Sequence, residues 1–360
     1  MATATTAAPP LDEAKLNAFV GKMLGDIGAG VTAALVITGD RTGLYRSLDR
    51  DGAATPRELA SRTATDERYV TEWLANQAAS GYLEYDRDTG SYRLPPEHAM
   101  LLAREDSPLN MQGLFELIQT VMFDEPKITQ AFRDGRGVGW NEHHDQLFGA
   151  TARFFKPGYA ANLIASWIPA LDGVAQKLKE GAMVADIGCG HGTSTLIMAK
   201  EYPNSSFAGF DYHPASIDAA QRAADQAGLG DRVLFAAESA TTFPGVSYDF
   251  VTCFDCIHDM GDPVGALAHI RATMARDGTL MIVEPFAHDE LEDNLNPVGR
   301  IFYGFSTLLC TPAAKAQPGG YTLGAQSGEA RMREVAMKAG FTRFRRATET
   351  PFNIIYEVRP

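Results

Sequence analysis

Three glycines and an aspartate stand close together near the middle of this chain, within residues 184–193. A short apolar run ends at Asp186, and glycines follow at every second position: Gly188, Gly190 and Gly192. Glycine adopts positive φ values easily and lets a ligand approach the backbone without meeting a Cβ. Because a strand, a glycine turn and a helix N-terminus together form a nucleotide-type pocket, the segment predicts a nucleotide site.

The spacing around this turn distinguishes three classes of nucleotide. The dinucleotide fingerprint wants G-x-G-x-x-G, but the third glycine comes one residue early and Thr193 takes the last small position. The lysine of a phosphate loop is absent from the turn. The carboxylate of Asp186 would repel a pyrophosphate but attract a cation, and S-adenosylmethionine (SAM) carries a sulfonium and an ammonium. Asp211, about 20 residues past the turn, could bind ribose hydroxyls, and Tyr212 could flank the adenine.

At these positions the chain resembles the class I SAM-dependent methyltransferases. D-I-G-C-G-H-G-T at 186–193 is similar to their first motif, F-D-Y at 210–212 to their second, and residues 248–255 to their fourth strand. The resemblance covers about residues 180–360 and implies SAM as cofactor, with S-adenosylhomocysteine as product. It implies cofactor contacts from both the turn and the strand ends: Asp186, Gly188, Cys189, Gly190, Thr193, Asp211, Tyr212, Glu238, Ser239, Phe254 and Asp255.

The loop I-H-D-M-G-D at 257–262 resembles the L-H-D-W-S-D stretch of small-molecule O-methyltransferases of the caffeate and hydroxyindole type. In that family the histidine removes the proton from the accepting hydroxyl, which implies the role of general base for His258. A neutral imidazole titrates near pH ~6.5 and suits this task. The family also has a glutamate at the end of the fifth strand, and here either Glu284 or Asp259 would orient His258.

Two departures from the family pattern leave other roles open. Met260 replaces the family's tryptophan, and only Gln326 or Glu329 lies near the place of a second supporting glutamate. One alternative is that His258 and Asp259 cap the following helix without moving a proton. Another is that the domain binds SAM for chemistry other than methyl transfer.

The acceptor pocket is expected to be aromatic and apolar. In the family an insertion after the fifth strand roofs the acceptor, so we expect pocket residues there and in the helical segment before the sheet: Trp140, His144, Phe155, Tyr303 and Phe305. Such a lining predicts a flat or lipophilic small molecule, such as a phenolic or polyketide-like metabolite. A metal is not expected, because the C-x-x-C of Cys253 and Cys256 has no second ligand pair.

Strands and helices alternate from residue 183 onward, which predicts an α/β fold with a doubly wound sheet. We expect a Rossmann-like, seven-stranded methyltransferase domain preceded by a mostly helical winged-helix domain. The predicted strands cover residues 183–186, 206–211, 232–237, 248–253 and 279–284, with two closing strands at 341–344 and 352–358.

The N-terminal part predicts a winged helix. Thr55 and Glu58 form a capping-box pattern, a second helix runs from about Thr65 to Gly81, and residues 82–94 suggest a hairpin. A winged helix raises a second class of function, a DNA-binding transcriptional regulator. Acidic residues outnumber the one arginine at the recognition position, which disfavours DNA: Asp66, Glu67, Glu72 and Arg68.

In the resembling O-methyltransferases this N-terminal unit dimerises, which implies a homodimer. The helix predicted over 14–38 carries an apolar stripe that suits a dimer face, although the stripe could instead pack within the monomer. We expect a disordered tail over 1–12, a winged-helix and dimerisation domain over 13–105, a helical linker and pocket region over 106–175, and the SAM-binding domain over 176–360.

Composition and charge narrow the binding partners and the cellular location that we expect. The 360 residues carry a formal net charge of -13, with a pI of about 5.1, which disfavours binding to nucleic acid or to an anionic membrane. No unbroken run approaches ~18 apolar residues, so no membrane span is expected. The N-terminus lacks the pattern of a signal peptide, and four cysteines make no disulfide framework, so we expect a cytoplasmic protein.

Overall fold

A computed structural model describes residues 11–360 of the chain. The predicted tail over 1–12 therefore lies outside the described residues, apart from its last two. Asp12, the last of these, caps the first helix by accepting hydrogen bonds from two backbone N–H groups. The chain divides into two compact units, and the division falls between Phe115 and Glu116. The predicted helical segment 106–175 thus contributes to both units.

The first unit is helical, with one short hairpin. The box at Thr55 is formed, because its hydroxyl accepts from the backbone of Glu58 and the Glu58 carboxylate accepts from the Thr55 backbone. The antiparallel hairpin follows the second helix of the pair, which confirms the predicted winged helix. The elements are α1 (Glu13–Arg41), α2 (Leu44–Asp51), α3 (Pro56–Thr63), α4 (Glu67–Ala79), β1 (Glu84–Asp86), β2 (Ser91–Arg93) and α5 (Pro96–Leu102).

Helix α1 buries only its C-terminal part. Val36 and Ile37 lie in the core, whereas the apolar side chains of its first half are exposed: Leu16, Phe19, Val20, Met23, Leu24, Ile27 and Val31. An 18-residue window of this helix has a mean hydropathy of 1.5, so by length and composition the helix is apolar enough to cross a membrane. The absence of a membrane span stays a prediction, because one apolar helix near the N-terminus is weak evidence by itself and charged residues interrupt its apolar run.

The second unit is a seven-stranded sheet with helices on both faces. Its elements are α6 (Gln112–Asp134, which begins before the division), α7 (Gln146–Asn162), α8 (Val174–Glu180), β3 (Met183–Ile187), α9 (Thr193–Glu201), β4 (Ser206–Asp211), α10 (Pro214–Gln226), β5 (Val233–Ala237), β6 (Tyr248–Phe254), α11 (Pro263–Thr273), β7 (Met274–Pro285), α12 (Pro297–Phe305), α13 (Thr311–Ala316), α14 (Gly328–Lys338), β8 (Arg343–Glu349) and β9 (Asn353–Arg359). The predicted seven-stranded α/β fold is confirmed.

The strand order of this sheet is β5-β4-β3-β6-β7-β9-β8. Strands β3 to β7 pair in parallel, and β9 is antiparallel to both of its neighbours. The order reverses direction at β3, which has β4 on one side and β6 on the other. Ligands of open α/β sheets bind at such a reversal, outside the carboxyl ends of the strands. Separate apolar clusters on the two faces hold this edge in place.

Candidate active site

The glycine turn after β3 depends on its glycines for both backbone conformation and space. All three residues have positive φ, between 52° and 73°. A Cβ on Gly192 would lie 2.5 Å from Cζ of Phe235, and one on Gly188 would lie 2.9 Å from Sγ of Cys256. A Cβ on Gly190 would meet nothing within 4 Å, so the turn opens to free space there. The turn is therefore packed below and open above, as a ligand cradle requires.

Asp186 lies beneath this turn, at the end of β3, and is 1% exposed. Its carboxylate accepts hydrogen bonds from the hydroxyls of Ser194 at 2.7 Å, Thr195 at 2.6 Å and Thr252 at 2.9 Å. Burial raises the pKa of Asp186 above its usual value, against these hydrogen bonds. Since hydroxyls occupy both oxygens, the charge of Asp186 acts on a ligand through space.

Asp211 joins the end of β4 to the glycine turn. Its carboxylate accepts from the backbone N–H of Gly190 at 3.0 Å and of His213 at 2.9 Å. Burial raises the pKa of Asp211. Tyr212 beside it is 47% exposed, and the backbone N–H of Glu238 donates to the Asp211 carbonyl at 3.0 Å. The ends of β4 and β5 thus carry these polar residues to one place.

Asp255 follows β6 in a strained conformation, with φ at +50°. Its carboxylate accepts from the Tyr159 hydroxyl at 2.9 Å and from Asn353 Nδ2 at 3.1 Å, and burial raises the pKa of Asp255 to about 7. Tyr159 also packs between Phe155 and Phe254, with ring centroids 5.5 and 5.0 Å away. These three aromatic residues form one wall beside Asp255.

The other predicted cofactor residues lie on the same loops. Cys189 is buried within the turn, and Thr193 is the first residue of α9. Ser239 is exposed in the loop after β5, where its hydroxyl accepts from the backbone N–H of Thr241 at 3.2 Å. The structure therefore places all of these residues at the carboxyl edge of the sheet.

His258 lies in a single 3-10 turn, Ile257–Asp259, directly after β6. Glu284 at the end of β7 hydrogen-bonds Nδ1 of His258, and its other oxygen accepts from the Ile257 backbone at 3.0 Å. On the opposite side of the ring, Nε2 lies 3.3 Å from Sγ of Cys310. Burial alone would lower the pKa of His258, but Glu284 and Cys310 raise that pKa well above its usual value.

Asp259 faces a different partner. Its carboxylate accepts from the indole N–H of Trp140 at 2.9 Å, and burial raises the pKa of Asp259 to about 6. Glu284, and not Asp259, therefore holds the ring of His258. The alternative that the His258–Asp259 pair caps the next helix was wrong, because the side chain of Asp262 caps α11.

No glutamate takes the second supporting position among the residues that the structure describes near His258. Glu329 pairs with two arginines on α14 and β8. The Gln326 amide donates to the Phe286 carbonyl at 3.0 Å. The backbone of the loop is fixed instead by Gly324, whose N–H donates to the His258 carbonyl at 3.1 Å. Orientation of the imidazole thus depends on Glu284.

Two of the predicted pocket residues lie on helix α12. Tyr303 and Phe305 are half-buried on this helix. The helix continues as a π-helical turn, Ser306–Cys310, which ends at the thiol beside His258. Sequence reasoning missed Cys310, since no motif marks a cysteine 52 residues from the histidine that it contacts.

The sequence favoured His144 as a pocket residue, but its neighbour is the more deeply placed of the two. The ring of His144 lies 4.7 Å from that of Phe123 at a half-buried position. His143 is buried, with Nδ1 2.9 Å from a carboxylate oxygen of Asp124 and its ring 6.3 Å from that of Trp140. Within residues 11–360, Nε2 of His143 has no hydrogen-bond partner. Burial lowers the pKa of His143 in spite of the carboxylate.

Metal ligands are not gathered anywhere in the described part of the chain. A search of residues 11–360 finds no group of three or more histidine, cysteine, aspartate or glutamate side chains placed to hold an ion.

Known protein families match both units. Residues 178–309 match the family described as Methyltransferase domain, and residues 30–104 match the Rv2258c-like winged HTH domain. The chain thus carries a segment that matches a methyltransferase domain, preceded in the sequence by one that matches a winged helix-turn-helix domain.

Solved structures share this fold over nearly the whole chain. A protein from Nostoc punctiforme assigned as an O-methyltransferase aligns with a TM-score of 0.71 at 20% identity, over 94% of this chain and 98% of its own. The O-methyltransferase NcsB1 of neocarzinostatin biosynthesis, solved with SAM and 2-hydroxy-5-methyl naphthoic acid, aligns with a TM-score of 0.60 at 16% identity, over 91% and 95%. At these identities the likeness shows the fold.

Curated relatives match over shorter stretches. The ubiquinone biosynthesis O-methyltransferase of Actinobacillus pleuropneumoniae is 27% identical over 133 residues, 35% of this chain and 54% of that protein. The chain spans between 24% and 54% of the length of the curated relatives that it matches.

Proposed function

We propose that this protein transfers a methyl group from SAM to a hydroxyl of a small-molecule acceptor, with His258 as the general base. The observation that carries the proposal is the buried pair of His258 and Glu284, at the same sheet edge as the glycine turn. A base is needed when the acceptor is a hydroxyl, because the oxygen must lose its proton as it gains the methyl group.

The turn and the strand ends fit SAM. When bound, SAM supplies a methyl group already activated by the positive sulfur. The open side at Gly190 gives its methionine part access to the backbone, and the buried carboxylate of Asp186 and the half-buried one of Asp211 favour a cation. In this proposal Asp211 binds the ribose hydroxyls, and the exposed ring of Tyr212 flanks the adenine. Glu238 and Ser239 complete the adenine side.

The proton path runs through His258. The acceptor hydroxyl approaches Nε2, the nitrogen that Glu284 leaves free, and gives it the proton. The Glu284 carboxylate stabilises the imidazolium that forms, which is the work of the orienting acid in other histidine bases. The proton then leaves to solvent once the product has departed.

The acceptor proposed here is a flat hydroxylated aromatic molecule. Aromatic side chains come from separate segments of the second unit, from α12 and from the region before β3: Trp140, Phe155, Tyr303 and Phe305. NcsB1, which shares the fold, was solved with a hydroxylated naphthoic acid. Aromatic faces suit such ligands because they stack on flat rings.

The test separates cofactor binding from catalysis. Calorimetry with SAM should show binding to the wild-type protein and to His258→Ala, because His258 is not part of the turn. Transfer of the labelled SAM methyl to a panel of catechols, hydroxynaphthoates and hydroxyanthraquinones should fall about 10²-fold or more in His258→Ala. His269→Ala is the matched control, since Nε2 of this histidine on α11 donates to the Phe243 carbonyl at 2.8 Å and takes no part in the proposed site.

Absence of SAM binding to the wild-type protein would refute the cofactor. Undiminished turnover of His258→Ala would remove His258 from the mechanism and favour an acceptor that needs no base. A SAM complex that methylates nothing in the panel would favour the alternative of other SAM chemistry.

We also propose that the exposed face of α1 pairs with a second copy of this chain. Its apolar side chains are 41–66% exposed over Leu16 to Val31. The two charges within it, Lys22 and Asp26, are paired with each other, so the face is effectively neutral. A face of this kind on a winged helix-turn-helix unit suits a homodimer, whereas the acidic start of α4 does not suit DNA.

Light scattering on the purified wild-type protein should give twice the mass of one chain. The double variant Phe19→Asp/Ile27→Asp should give the mass of a single chain. Asn17→Asp is the control at an exposed polar position of the same helix. A monomeric wild-type protein that sediments with lipid vesicles would refute the dimer and favour a membrane for α1. A gel shift on DNA at moderate salt would favour a regulator.

All four cysteines are free, which supports the proposed cytoplasmic location.

A further inference from the structure

A cysteine thiol lies beside the nitrogen that the proposed reaction needs. Sγ of Cys310 lies 3.3 Å from Nε2 of His258, and Glu284 hydrogen-bonds Nδ1 on the other side of the ring. All three side chains are buried. Thiol, imidazole and carboxylate in this order form the arrangement that activates nucleophilic cysteines, since the imidazole takes the thiol proton and the carboxylate stabilises the imidazolium.

The other three cysteines lack this arrangement. Cys256 is more exposed than Cys310, but its thiol donates to the carbonyl of Ile187 at 3.3 Å. Sγ of Cys189 lies 3.9 Å from a backbone carbonyl, and Cys253 is fully buried in β6. A neighbouring thiol and burial raise the pKa of Cys256, and burial raises that of Cys189, which keeps both as thiols. The more exposed thiol is therefore that of Cys256, whereas the thiol that contacts a histidine is that of Cys310.

We propose that Cys310 is a site of oxidation by peroxides, and that its oxidation blocks the base. The second half of the inference rests on the proposed function, whereas the first half depends only on the three side chains. Hydrogen peroxide is small enough to reach a thiol that is 8% exposed, where larger electrophiles are hindered.

The reaction balances without any other reagent. The thiol proton passes to Nε2 of His258, and the thiolate sulfur attacks one oxygen of the peroxide. The S–O bond forms as the O–O bond breaks, and the leaving hydroxide takes the proton from Nε2 to become water. The sulfur of Cys310 is oxidised to a sulfenic acid, and the peroxide is reduced.

Oxidation would disable the site for a geometric reason. The new oxygen on Sγ must lie near Nε2, because only 3.3 Å separates the two atoms. An acceptor hydroxyl has to reach the same nitrogen, so the oxidised side chain excludes it. The glycine turn contains no part of this row of three residues, and SAM binding should therefore persist. A thiol reductant should restore activity, since sulfenic acids are reversible.

The first experiment measures which cysteine reacts. The wild-type protein is treated briefly with hydrogen peroxide, unfolded in dimedone to trap sulfenic acids, and analysed by peptide mass spectrometry. We expect Cys310 to be oxidised about tenfold faster than the more exposed Cys256, and His258→Ala to remove that advantage. Oxidation of Cys256 before Cys310, or a Cys310 rate that does not change in His258→Ala, would overturn the proposal. If His258→Ala fails to fold, the order of oxidation rates of Cys310 and Cys256 in the wild-type protein is the test.

The second experiment links oxidation to catalysis. Methyl transfer by the wild-type protein and by Cys253→Ala should fall in step with Cys310 oxidation and return with dithiothreitol, with SAM binding unchanged by calorimetry. Methyl transfer by Cys310→Ala should be the same before and after peroxide treatment. Oxidation at Cys310 without loss of methyl transfer would overturn the blocking role and leave the proposed function standing. Selective oxidation of Cys310 in a protein that methylates nothing would support the oxidation site and overturn both the proposed function and the blocking role that rests on it.

Discussion

The second unit contains two buried histidines that each contact a carboxylate, and the two pairs differ in basicity. His258 pairs with Glu284, and His143 pairs with Asp124. Burial pushes the pKa of both imidazoles down, yet the pKa of His258 ends well above its usual value and that of His143 ends below. A histidine–carboxylate pair is therefore not by itself a base.

The difference lies in what else each carboxylate binds. Asp124 also accepts from Nζ of Lys127 at 2.7 Å and from the His144 backbone at 2.8 Å, so its charge is shared among three donors. The Lys127 ammonium further lowers the pKa of His143. Glu284 has only a neutral backbone N–H besides its histidine among the described contacts. Asp124 still raises the pKa of His143, but burial and Lys127 outweigh it, whereas Glu284 and Cys310 together outweigh the burial of His258.

The largest effect expected from this comparison is on catalysis. Glu284→Ala should lower kcat/KM for a hydroxyl acceptor about 10²-fold or more, and Asp124→Ala less than about tenfold, because only the first pair holds the proposed base. Both changes remove a buried hydrogen-bond partner and should each cost about 1–3 kcal/mol of unfolding free energy. Denaturant unfolding measures the second quantity. Equal losses of kcat/KM in the two variants would make the effect one of stability alone.

The next effect is on pH dependence. His258 works as a base when neutral, so the rate should fall as the pH drops through its pKa, with a midpoint above 6.5. Glu284→Gln removes the charge that raises this pKa and should move the midpoint to lower pH by about one unit, worth roughly 1.4 kcal/mol. The pH profile of kcat/KM measures the shift, and Asp124→Asn should leave the midpoint in place.

Other groups around His258 titrate in the same range and enter this profile. Burial raises the pKa of Asp255 to about 7 and of Asp259 to about 6. If the midpoint of the kcat/KM profile stays in place in Glu284→Gln but moves in Asp255→Asn, the group that titrates is Asp255. That result would contradict the assignment to His258.

The smallest effect concerns Trp140, which stands between the two pairs. Its indole N–H donates to Asp259, and its ring lies 6.3 Å from that of His143. Trp140→Phe removes one hydrogen bond and should cost about 1 kcal/mol of unfolding free energy. Because that bond stabilises the charged carboxylate, the loss should be greater at pH 8 than at pH 5, on either side of the pKa of Asp259. Unfolding curves at both pH values measure it.

Trp167→Phe is the matched control for this prediction. Its indole N–H has no hydrogen-bond partner within residues 11–360, so its replacement changes packing only. The cost of Trp167→Phe should therefore be the same at both pH values. A pH-independent cost for Trp140→Phe as well would mean that the Asp259 bond does not matter for stability.

Much of the second unit was predictable because its signals are local. Alternating strands and helices gave the sheet, and the glycines marked a turn whose positive φ values other residues rarely adopt. The strand from Met274 begins five residues earlier than the prediction at 279, since its first part carries charged residues that do not read as a buried strand. The resemblance to known motifs supplied His258 and Glu284 as candidates, and the structure chose Glu284 over Asp259.

The sequence by itself determined the winged helix, the succession of strands and helices along the second unit, the SAM-type turn and the candidate base. Each of these depends on neighbours within a few residues or on a short motif. Only the tertiary structure decided that Cys310 meets His258, that the ring of His143 and not that of His144 pairs with Asp124, and that the first half of α1 is left uncovered. These features depend on side chains brought together from distant segments. Their distances follow from packing, which no local pattern encodes.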